Sequence, residues 1–81
     1  MSAMDDLYKA ANKHAREKLD EFLRAFSGEA LAMMLVDYET GHEAPTYDPR
    51  YHQIIDAGFA KAGSKKFVEM IAELRATQDA S

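Results

Sequence analysis

The sequence predicts an all-α protein, a compact bundle of one long N-terminal helix and three shorter ones, with no sheet. Apolar residues recur at spacings of three and four, and the breaks between such stretches fall at Gly or at capping residues. The one apolar run that could be a buried strand finds no second segment to pair with. At 81 residues the chain has room for a single domain, 1–81. Fourteen of its apolar residues are alanine, so few large side chains remain to build a core, and a chain this small gains from a partner or from self-association.

The first helix is predicted over about 4–26. Leu7, Ala11, Ala15, Leu19, Phe22 and Phe26 lie on one stripe, and a helix of this length spans about the diameter of the domain. It is therefore expected to be the spine of the fold. Ser2 with Asp5 fits a capping box, and Asp5 and Asp6 complement the positive end of the helix dipole. Ser27-Gly28 is expected to end it, with glycine in the left-handed position.

The second helix, about 29–40, holds the run Ala30-Leu-Ala-Met-Met-Leu-Val36. Ala, Leu and Met dominate it and only Val36 is β-branched, so helix is favoured over strand. Being apolar nearly all round, it belongs at the centre or in a dimer seam. Gly41 stops it. The third helix, about 49–62, starts at Asp48-Pro49, an N-cap followed by a proline whose missing N–H costs nothing there. Tyr51, Ile54, Ile55, Gly58, Phe59 and Ala62 form its buried face, with Gly58 permitting close approach of another helix. Gly63 ends it, Ser64 caps the fourth helix, about 64–77, and Phe67, Met70, Ile71 and Leu74 point inward. Residues 78–81 are expected to fray.

The net charge is −4, and its distribution is uneven. Residues 27–48 hold Glu29, Asp37, Glu39, Glu43 and Asp48 and no Lys or Arg. Direct nucleic-acid binding needs a basic stripe, and none is visible. The corner formed by Lys61, Lys65 and Lys66 could suggest a helix-turn-helix, but Glu69 and Glu73 on the following helix would repel phosphates. The longest apolar run is far below the roughly 20 residues that cross a bilayer. With no cysteine and no signal-like start, the expectation is a cytoplasmic protein without membrane association.

The chain offers little chemistry. Its serines are explained by caps, breaks and a terminus, and no nucleophile elbow, phosphate loop or dinucleotide fingerprint occurs. It is expected not to be an enzyme and to carry no cofactor. His42, Glu43, Asp48 and His52 could in principle ligate a metal, yet no helical pairing supports this, and solvated loop residues are the simpler reading.

The unusual stretch is 37–52, which holds three of the four tyrosines and two of the three histidines. Tyrosine and arginine are favoured at the centres of protein interfaces, lysine is depleted there, and Pro45 and Pro49 limit the entropy lost on docking. Tyr38, Glu39, His42, Glu43, Tyr47, Asp48, Arg50 and Tyr51 are thus the candidate partner-binding residues. A protein with a basic surface is the expected partner, steered by the carboxylates. In architecture and charge the chain resembles small inhibitor and immunity proteins that block basic nucleases or nucleic-acid-binding machines. That resemblance implies an inhibitor or modulator and carries over no individual residue. The alternative is a self-associating scaffold, a homodimer joined through the second helix and the first.

Overall fold

The capping residues divide the chain as expected, and a computed structural model, which describes residues 3–80, contains four helices and no strand among them. They are α1 (Ala3–Leu23), α2 (Gly28–Gly41), α3 (Pro49–Ala62) and α4 (Ser64–Ala80), with a single 3-10 turn at Pro45–Tyr47 before α3. Ser2, expected in the capping box of α1, lies outside the described residues. Among those residues no helix is long and apolar enough to cross a membrane.

The core is assembled by α2, α3 and α4. Leu31, Ala32, Leu35 and Val36 of α2 are at most 2% exposed, and they pack with Tyr51 and Ile54 of α3 and Phe67 and Ile71 of α4. The apolar run of α2 is thus consumed inside the monomer. Of the large apolar side chains in that run only Met33 is exposed, so α2 takes the central place that its apolar surface suggested.

Gly58 is required by the crossing of α3 and α4. A Cβ built on it would lie 2.1 Å from Phe67 Cζ, so the Phe67 ring occupies the space a side chain would need. Gly63 makes the corner. Its φ of 86° is open only to glycine at low cost, its N–H donates to the Phe59 carbonyl at 2.9 Å, and its own carbonyl accepts from Phe67 N–H at 3.0 Å. It thus closes α3 and opens α4, and Ser64 is the first residue of α4 rather than its cap. The helix then continues to Ala80 through residues expected to fray.

α1 departs most from the sequence expectation. It ends at Leu23 instead of residue 26, because the chain tightens into 3-10-type bonds, Ala25 N–H to Phe22 and Phe26 N–H to Leu23, both 3.2 Å. This turn lets Phe26 pack on the core beside fully buried Leu23. Ser27 then caps α2 by accepting from Ala30 N–H at 3.2 Å. Gly28 is not left-handed but lies inside α2, where a Cβ would meet that of Ala62 at 3.0 Å. α1 meets α3 in its C-terminal half. Gln53 ties the two together by donating to the Arg16 carbonyl and the Asp20 carboxylate, each at 3.0 Å.

The N-terminal half of α1 projects from the body. Leu7 is 68% exposed and Phe22 56%, and Ala11 and Ala15 are exposed between them. From Leu7 to Ala15 the stripe expected to bury against the other helices is therefore uncovered, whereas Leu19 and Phe26 pack on the core, and the first part of α1 is a projecting arm rather than a spine. The molecule measures 51 × 26 × 17 Å with a radius of gyration of 15.0 Å, against about 12 Å for a spherical domain of this length.

Candidate functional site

The eight residues singled out in 37–52 divide into an inward cluster and an outward group. Two carboxylates organise the inward one. Glu39, near the end of α2, takes both arms of the Arg75 guanidinium from α4, with Nε at 3.0 Å from Oε2. Its Oε1 also accepts the Tyr51 hydroxyl at 2.5 Å. One side chain thereby joins α2, α3 and α4. Asp48 caps α3 by accepting from Arg50 N–H at 2.9 Å and also accepts the hydroxyl of Tyr38. The His42 ring stacks on Tyr38, centroids 3.9 Å apart, and its Nδ1–H donates to the Tyr38 carbonyl at 2.9 Å.

This hydrogen bonding lowers the carboxylates and raises the phenols. The guanidinium of Arg75 foremost, and the Tyr51 hydroxyl after it, hold Glu39 below the usual glutamate range against the opposing effect of burial. The hydroxyl of Tyr38 and then the backbone N–H of Arg50 hold Asp48 low. The phenols shift upward: Tyr38 chiefly because its proton is committed to Asp48, and Tyr51 chiefly through burial, then its bond to Glu39.

Tyr51 is buried and Tyr38 half-buried. Glu39 and Asp48 are committed to bonds within the chain. Tyr47, Glu43, Arg50 and His42 are exposed, and Tyr47, at 87%, is the most exposed large apolar side chain described. His52, the other histidine of the segment, bonds the Thr46 carbonyl through Nε2 at 2.6 Å. Among the described residues no three His, Cys, Asp or Glu side chains converge as a metal site would require.

A second surface lies on α1, where the sequence predicts either a buried spine or part of a homodimer seam. On α1 the stripe gathers Met4 (64% exposed) and Tyr8 (67%) beside Leu7, around a shallow depression of about 260 Å³ floored by Ala11. Further along, Ala15 and Leu19 form one wall of an open groove of about 690 Å³, whose other wall is Pro49, Arg50 and Gln53. The apolar arm and the start of α3 therefore form one continuous surface. The signal for it was the length of α1, which exceeds the others and outreaches what three short helices can cover. No protein family, curated protein or solved structure matches the chain.

Proposed function

We propose that the chain is a non-catalytic protein-interaction module whose docking element is the projecting half of α1. One observation carries the reading: Met4, Leu7 and Tyr8 lie on one side of a helix with nothing packed over them. Isolated helical segments this short are marginal in water, and an apolar stripe is normally stabilised by what it packs against. Large contiguous apolar faces on small domains mark interaction sites. A photo-cross-linking amino acid placed at Leu7 or Tyr8 in the source cell should yield adducts, whereas one at exposed Glu73 should not. Equal adduct formation at all three positions, or none at α1, overturns the reading.

A second reading keeps the acidic segment as a docking site for a basic protein that the chain inhibits or modulates. It is favoured by Tyr47, held out at 87% exposure beside exposed Glu43 and Arg50. Since Glu39 and Asp48 are engaged within the fold, steering would fall to Asp37 and Glu43, both exposed. Asp37→Asn with Glu43→Gln should then slow association with the cross-linked partner and weaken its salt dependence. An unchanged rate at two salt concentrations defeats it.

A further inference from the structure

We draw no further inference here: the strongest candidate, the apolar face of Met4, Leu7 and Tyr8 on the projecting half of α1, is the docking element already proposed, and nothing in the structure shows what covers it.

Discussion

Glu39 joins three helices, because it satisfies a buried tyrosine and a cation from two helices other than its own. Its worth lies unequally in the two bonds. Arg75 has a side chain 52% exposed, and ion pairs in such settings contribute about 0–1 kcal/mol. The hydroxyl of Tyr51 is on a buried ring, and leaving it without an acceptor costs about 1–3 kcal/mol. Glu39→Ala should therefore destabilise the protein, in urea unfolding, clearly more than Arg75→Ala. The reverse order would mean that the ion pair, not the tyrosine bond, holds the helices. The pH dependence follows from the same bonds. Glu39 and Asp48 titrate lower in the folded chain than in the unfolded one. The stability they contribute is complete above the ordinary carboxylate range, near pH 4, and is lost as the pH falls through their depressed folded values. Tyr38 and Tyr51 titrate higher when folded, so their contribution is complete below about pH 10 and is lost above it. Thermal midpoints should be flat between these limits, and Glu39→Gln should shallow the acid limb. Ala44 tests the backbone instead. It sits at φ 48°, a left-handed conformation that costs a non-glycine residue about 1–2 kcal/mol. Ala44→Gly should stabilise the chain by up to about 1 kcal/mol after the glycine entropy cost is subtracted, read as a higher urea midpoint at unchanged slope.

At the scale of helices, the close crossing of α3 and α4 gives the sharpest test. Gly58→Ala drives a methyl into the Phe67 ring, and overpacking of this kind costs about 1–3 kcal/mol or more. With Phe67→Leu in the background the same change should cost much less. An equal cost in both backgrounds would assign the effect to the glycine backbone. Gly58 was legible in the sequence because its spacing on the apolar face of α3 marked it. The Asp48-Pro49 start and the Gly63 corner were legible because caps act through bonds spanning two to four residues. The fate of α1 was not legible in the same way. Periodicity shows that Leu7, Ala11 and Ala15 share a face, but whether anything covers that face depends on where α3 lies. The internal bonding of segment 37–52 was hidden for a related reason. Its tyrosines and carboxylates do form a group, as composition suggested, but they close on one another. One partner of Glu39 is Arg75, 36 residues away, and no local pattern announces a bond of that span. Arg75 did carry one sign of its role, as the single base in the later part of α4.

For the whole molecule, stability should be divided between a body and an arm. Leu31, Leu35 and Phe67 are almost fully buried, so amides of α2 and α4 should exchange with solvent only when the body unfolds. Residues 5–14 lie beyond the reach of Gln53, whose bonds to Arg16 and Asp20 fasten the lower part of α1. A free helical segment of about ten residues gains too little from its own hydrogen bonds to resist fraying. Those amides should exchange orders of magnitude faster than the amides of Leu31–Val36. Protection in 5–14 equal to that of α2 would mean instead that the body itself grips the whole of α1. The exposed stripe at Leu7 and Tyr8 would then be an ordinary solvent face, and the docking element would fall with it.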